Sequence, residues 1–232
     1  MRMTYDLYIG DRTFSSWSLR GWLMLEKSGL PFKTHMVGLY AGTYRAELAH
    51  LAPARTVPAL RTPQGHVLSD SMAMAETLYE AHPDAGIYPK DPAARALARN
   101  LASEMHGGFG ALRNDCPMMI SRVWEGFTPS DAVSADLARI EFLWALARER
   151  HGADGPWLFG KYSVADAFFA PVAMRITAYD LPVGEAANAY VQAHLIDPAF
   201  LEWHVASQSK THDPWPYPMD LAHRPWPSVN HS

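Results

Sequence analysis

Apolar and polar side chains alternate over Tyr5-Asp6-Leu7-Tyr8-Ile9-Gly10, the two-residue period of a strand, and the polar run Asp11-Arg12-Thr13 closes it. From Ser16 or Ser18 the period changes. Leu19, Trp22, Leu23 and Leu25 recur at helical spacing until Ser28-Gly29-Leu30-Pro31 supplies glycine and then proline as a stop. Phe32 to Val37 is again strand-like, Thr43 to Leu51 predicts a short helix, and Val57 to Arg61 predicts a strand carrying Pro58. Gln64-Gly65 marks a hairpin turn and His66 to Leu68 the returning strand. Asp70-Ser71 then opens an amphipathic helix from Met72 to Ala81. Residues 1–82 therefore read βαβαββα.

Turn formers crowd the segment that follows, so residues 83–92 are expected to link two units, and beyond them strand signals nearly vanish. Ala93 to His106, Asp131 to His151, Ser163 to Tyr179, Ala186 to Leu195 and Pro198 to His204 all favour helix, the last with Asp197 as its cap. Residues 93–212 are thus expected to be all α. Residues 213–232 are rich in proline and tryptophan and predict an extended tail, partly docked through its tryptophans.

Composition narrows the function. With 48% hydrophobic and 19% charged residues, a chain of 232 has material for a core, and disorder is excluded. Its 20 basic and 24 acidic side chains lack the footprint of a nucleic-acid binder. No charge-free run approaches the roughly 20 residues of a membrane-spanning helix, and no apolar leader follows Met1-Arg2-Met3. The single cysteine, Cys116, rules out an intrachain disulfide and a Cys-x-x-Cys pair; a soluble, cytoplasmic protein is expected. The 11 histidines show no metal-ligand spacing, and no phosphate loop or nucleophile elbow occurs, so neither metal nor nucleotide is expected.

Four local segments stand out, three with candidate chemistry and a fourth that is structural. Phe14-Ser15-Ser16-Trp17-Ser18 sets hydroxyls at the start of the first helix, where a donor and the helix N-terminus together could hold a thiolate; capping alone is the alternative. Arg55-Thr56-Val57-Pro58 leads into the third strand, Ser69-Asp70-Ser71 opens the third helix, and Ser163-Val164-Ala165-Asp166 has the form of a capping box.

The βαβαββα unit followed by helices, together with these four segments, resembles the cytosolic glutathione S-transferases, and the likeness spans nearly the whole chain. The first segment is similar to the Ser-Ser-Cys-Ser of the zeta class, the maleylacetoacetate isomerase relatives, with Trp17 in place of the cysteine. The resemblance implies a thioredoxin-like N-terminal domain with a mixed four-stranded sheet, and an all-α helical-bundle C-terminal domain. It implies glutathione as cosubstrate or coenzyme, with Ser15 or its rival Ser16 activating the thiol. Trp17, Arg55, Val57, a cis Pro58, Asp70 and Ser71 would complete the tripeptide site, Val57 through its main chain and Asp70 through the γ-glutamyl ammonium. Arg20 is a further candidate for the glycyl carboxylate. In the helical half, Met105, Phe109 and Arg113 stand four apart, so that one helix face could wall an electrophile pocket, Cys116 beside it; a core stripe is the alternative. The expected activity is thiolate attack on a small electrophile, as conjugation or glutathione-dependent isomerisation, in a homodimer. A non-catalytic binding module and maleylacetoacetate isomerase proper stand as alternatives. The electrophile itself is not legible.

Overall fold

The computed structural model describes residues 4–152, 155–209 and 216–227. Residues 1–3, the 213–215 start of the predicted tail with Trp215, and residues 228–232 lie outside the described residues.

The first half forms β1 (Tyr5–Ile9), α1 (Ser16–Lys27), β2 (Phe32–Met36), α2 (Tyr44–Glu47), a 3₁₀ turn (Ala49–Leu51), β3 (Ala59–Arg61), β4 (Val67–Leu68) and α3 (Ser71–Ala81). The sheet order is β2-β1-β3-β4. β1 runs parallel to β2, with Leu7 opposite Thr34, and antiparallel to β3, with Leu7 opposite Leu60. β3 and β4 pair antiparallel around Gly65, whose positive φ of 88° supplies the tight turn that Gln64-Gly65 predicts. A parallel pair needs a crossover, and α1 provides it. Alternation in β1 sends Leu7 and Ile9 into the main core and Tyr8 to the opposite face, where it packs with Val37, Leu48, Leu51 and Val57.

The second half contains α4 (Pro92–Gly107), α5 (Gly110–Asp115), β5 (Arg122–Trp124), α6 (Asp131–His151), α7 (Val164–Ala178), α8 (Glu185–Leu195), α9 (Pro198–Ser207) and β6 (His223–Pro225). α7 is buried almost throughout because it packs on α1, α4 and α8, so one apolar core runs through both halves. Its start is tied by the capping box: the Asp166 carboxylate accepts from Ser163 N, Ser163 Oγ, Leu158 N and the Tyr190 hydroxyl at 2.8–3.0 Å.

Two features depart from the sequence reading. The second half, expected to be all helical, holds a two-stranded ribbon, β5 with β6, whose three-residue strands are too brief to show a period. The tail is therefore held by backbone pairing as well as by Trp226, which is buried against Phe200 and His204. The helix containing Met105 also does not continue to Arg113. It ends at Gly107-Gly108, and Phe109 takes a left-handed conformation with φ 57° before α5 begins. A Cβ on Gly108 would stand 2.7 Å from the Glu104 carbonyl oxygen, so only glycine permits this break.

A packing consequence is testable by acid. His194 on α8 is enclosed by Trp157, Tyr162 and Tyr190, and its Nε2 has no hydrogen-bond partner among the described residues. Burial first, and then the charge of Lys27, push its pKa down to about 3. The unfolded chain, with histidine near the usual value of about 6.5, binds the proton more tightly than the folded one between these values. Stability is thus full above the upper value and is lost as pH falls through the window. Urea midpoints should fall progressively below pH 6.5 (about the unfolded value), and His194→Phe should flatten that acid limb. An unchanged limb would contradict the assignment.

Candidate functional site

Ser15 is the N-cap of α1, and its hydroxyl is doubly engaged within the helix start. It donates to Ser18 Oγ at 2.7 Å and accepts from Ser18 N at 3.4 Å, while Ser18 Oγ accepts from Gly10 N at 3.0 Å. Ser16 is placed differently. Its Oγ accepts a long contact of 3.4 Å from Arg175 Nη2 on α7, which leaves its own proton uncommitted. Ser15, Ser16, Trp17, Leu39, Thr56 and Val57 line a cleft of about 310 Å³ between the first strand–helix junction and the turn before β3.

The Val57–Pro58 bond is cis, as the resemblance implies, and so is Ala52–Pro53. Pro58 turns away from the cleft onto α1, where Gly21 admits it: a Cβ at Gly21 would lie 3.0 Å from Pro58 Cβ. This leaves Val57 on the cleft wall. A second groove of about 570 Å³ adjoins at Thr56 and is lined by Tyr44, Arg45, Leu48, Ala54 and Arg55. Arg55 is exposed there, and Arg45 joins it, a cation the sequence reading did not select.

Asp70 caps α3, accepting from Met72 N at 2.8 Å and Ala73 N at 3.0 Å. Its other oxygen meets His106 Nε2 at 3.1 Å, and the Ser71 hydroxyl lies 3.4 Å from His106 Nδ1. The His106 ring is edge-on to Trp17, with centroids 6.4 Å apart, so it connects the α3 start to the serine cleft. Sequence reading missed His106. Its only signal was its place in the helix quoted for the electrophile wall, and its pairing with residues 35 and 36 positions earlier leaves no local trace.

The helix break divides the three residues predicted to share one face, and none of them lines the cleft. Met105 and Phe109 are buried in the common core, which is the core-stripe alternative. Arg113 remains half-exposed, with its guanidinium 4.5 Å from the Trp17 ring centroid. Arg20 stacks on Trp17 at 4.6 Å and on Phe168 at 5.0 Å, fully enclosed, so it lies behind the wall rather than at the glycyl end. Cys116 is buried, and burial pushes its thiol up to about 12, which leaves it protonated near neutrality.

On the open side, Tyr217 from the segment before β6 places its hydroxyl 2.5 Å from that of Tyr40 and its ring edge-on to Phe14. The tail thus touches residues adjoining both Leu39 and Ser15. Among the described residues no group of three or more histidine, cysteine, aspartate or glutamate side chains could hold a metal ion, and no helix is long and apolar enough to cross a membrane.

Residues 14–81 match the family model described as "Glutathione S-transferase, N-terminal domain". The maleylacetoacetate isomerase of Pseudomonas aeruginosa is 28% identical over 222 residues, covering 88% of this chain and 98% of that protein. A probable maleylacetoacetate isomerase of Caenorhabditis elegans is 35% identical over 108 residues; this match takes in 47% of the present chain and only about half, 49%, of the relative's length. Among solved structures, a Burkholderia glutathione transferase homologue with bound glutathione superposes with a TM-score of 0.65 at 24% identity, over 88% of this chain and 98% of the other. The mixed sheet with its cis-proline turn and the appended helices have that same fold. Residues 14–81 are thus a glutathione S-transferase N-terminal domain, and the chain as a whole has the glutathione transferase fold and is similar to maleylacetoacetate isomerases.

Proposed function

We propose that this chain binds glutathione along the cleft, ionises its thiol and delivers the thiolate to a small electrophile, as a transferase or a glutathione-dependent isomerase. The observation that carries the reading is the pair of hydroxyls at the start of α1 on the wall of a cleft opposite the Val57–Pro58 turn. An extended tripeptide can pair its main chain with Val57 as an added strand would. Its γ-glutamyl end would then reach Asp70 and Ser71, where helix N–H groups suit the carboxylate and Asp70 the ammonium, with His106 adjoining. Arg55, with Arg45 beside it, would take the glycyl carboxylate.

Of the two hydroxyls, Ser16 is our donor to the sulfur. Its proton is unspent and its oxygen faces a cation, whereas Ser15 is committed to Ser18. The thiolate adds to an electrophilic carbon. Conjugation keeps the adduct; isomerisation of a cis-enedione forms it, permits rotation about the former double bond, and expels the thiolate as that bond is restored. The isomerase reading is favoured by the near full-length match to the Pseudomonas aeruginosa enzyme, while Trp17 in place of a cysteine sets this chain apart. A two-fold homodimer belongs to the same proposal.

The test is an ultraviolet titration of bound thiolate, with an aryl halide and a cis-enedione assayed beside it. Wild type should ionise bound glutathione well below the free thiol, whose pKa is about 8.5. Ser16→Ala should raise the bound value by about 1–2 units and lower kcat/KM about 10- to 100-fold. Ser15→Ala should mainly cost about 1 kcal/mol of stability as a lost cap. Binding without ionisation in the wild type would establish the binding-module alternative instead, and a thiol shift seen only in Ser15→Ala would overturn the choice of donor.

A further inference from the structure

Three guanidinium groups gather behind the serine wall, and among the described residues no carboxylate pairs with them. Arg20 has 0% exposure, and Nε, Nη1 and Nη2 all lack a hydrogen-bond partner. What it does touch are the faces of Trp17 and Phe168. Burial first, and then the charges of Arg175 and Arg113, both cations, drive its pKa down. Arg175, equally buried, donates to the Cys116 and Pro171 carbonyls at 2.9 and 3.2 Å and reaches Ser16 Oγ. Arg113 covers the other guanidinium contact of Trp17.

Among the described residues, the titratable groups that act on Arg175 include no carboxylate. Cys116, Tyr179 and Tyr217 face Arg175, and burial holds Cys116 and Tyr179 protonated near pH 7. From α4, His106 lies against Trp17 and Phe168; of the described carboxylates in this region, Asp70 is engaged by His106 and the start of α3, and Asp115, beside Cys116, accepts from the Ser130 hydroxyl. An arginine stays protonated under such conditions, and a desolvated cation without an anion is costly. Ring faces offset only part of that cost. Ser16 and Trp17, the two wall residues backed by these groups, are also the ones beside the proposed sulfur position.

We propose that Arg20, Arg113 and Arg175 form an uncompensated positive cluster whose counter-charge is the glutathione thiolate itself, the serine hydroxyl placing the sulfur and the buried cations ionising it. This rests on the reading of the cleft as a glutathione site. The three arginines are positioning residues, acting through Ser16, through Trp17 and through space. A unit charge about 8–10 Å from the sulfur, at an effective dielectric constant of about 20–40, lowers a thiol pKa by about 0.5–1.5 units. Arg20 and Arg175 are buried and weakly screened, so their share of the effect should persist at high salt.

The experiment measures the pKa of bound glutathione in wild type, Arg20→Met, Arg175→Met, Arg113→Met and Arg113→Lys, with binding of S-methylglutathione as a probe that has no thiol to ionise. Each methionine variant should raise the thiol pKa by about 0.5 unit or more. Arg113→Lys should restore the wild-type value, and affinity for S-methylglutathione should stay within about twofold throughout. Arg113 is half-exposed, so its variants remain informative if the buried ones fail to fold. Unshifted thiol values in the folded variants, with wild type ionising normally, would overturn the cluster's role and leave the cleft assignment standing. A wild type that binds no glutathione would overturn the underlying reading instead.

Discussion

Asp166→Ala should cost about 4 kcal/mol of unfolding free energy, the largest stability loss expected of a single polar substitution here. The carboxylate is fully enclosed and accepts from four donors belonging to three separate pieces of chain: the loop at Leu158, the α7 start at Ser163, and Tyr190 on α8. Truncation strands the Leu158 and Ser163 amide protons and the Tyr190 hydroxyl away from water, each worth about 1–3 kcal/mol. For a chain of this length that corresponds to a melting point lower by about 8–16 °C. Asp166→Asn keeps one acceptor oxygen and should fall about midway, whereas Ser163→Ala removes one donor and should cost about 1 kcal/mol. Urea and thermal melts check the order. Equal losses in all three variants would mean that the cap, and not the carboxylate knot, holds α7.

The fold was legible because its signals are local. A two-residue period in β1, glycine then proline after α1, and the Ser163–Asp166 box each report on a neighbourhood of a few residues, and each element lies where its pattern puts it. What failed to show was of two kinds. The Gly107-Gly108 pair reads as small residues within a helix, yet the backbone uses it to turn Phe109 left-handed, which moves Arg113 onto a separate helix and alters what it can touch. The ribbon of β5 and β6 pairs Arg122 with Pro225, about a hundred positions apart, and three-residue strands carry no period. The candidate site divides the same way. Cap and turn signals mark Ser15, Ser16, Val57, Pro58 and Asp70 only as structural punctuation, and the family resemblance is what selects them; which hydroxyl keeps its proton depends on Ser18 and on Arg175, and His106 is visible only once α4 lies against α3. Net charge hid the arginine cluster altogether, since an overall excess of acid says nothing of where three cations gather.

Trp17→Cys, which would restore the residue of the zeta-class segment, is expected to destabilise the fold by about 2–4 kcal/mol despite a position half-open to the cleft. One indole serves two guanidiniums, Arg20 at 4.6 Å and Arg113 at 4.5 Å, and presents an edge contact to His106. A ring face attracts a cation through its quadrupole, most strongly where water is excluded, as it is at Arg20. A thiol offers neither the area nor the quadrupole, so Arg20 would keep only Phe168, and the repulsion among the three cations would go unrelieved. Trp17→Phe retains a smaller face and should recover about half of the loss. If repulsion is the cause, Arg113→Met added to Trp17→Cys should give back part of the stability, a gain that lost packing alone would not produce. Additive losses in that double variant, or a Trp17→Cys protein melting with the wild type, would show that the indole is a wall of the cleft and nothing more. The tryptophan would otherwise be the condition on which this chain can keep a bare positive cluster folded behind its serines.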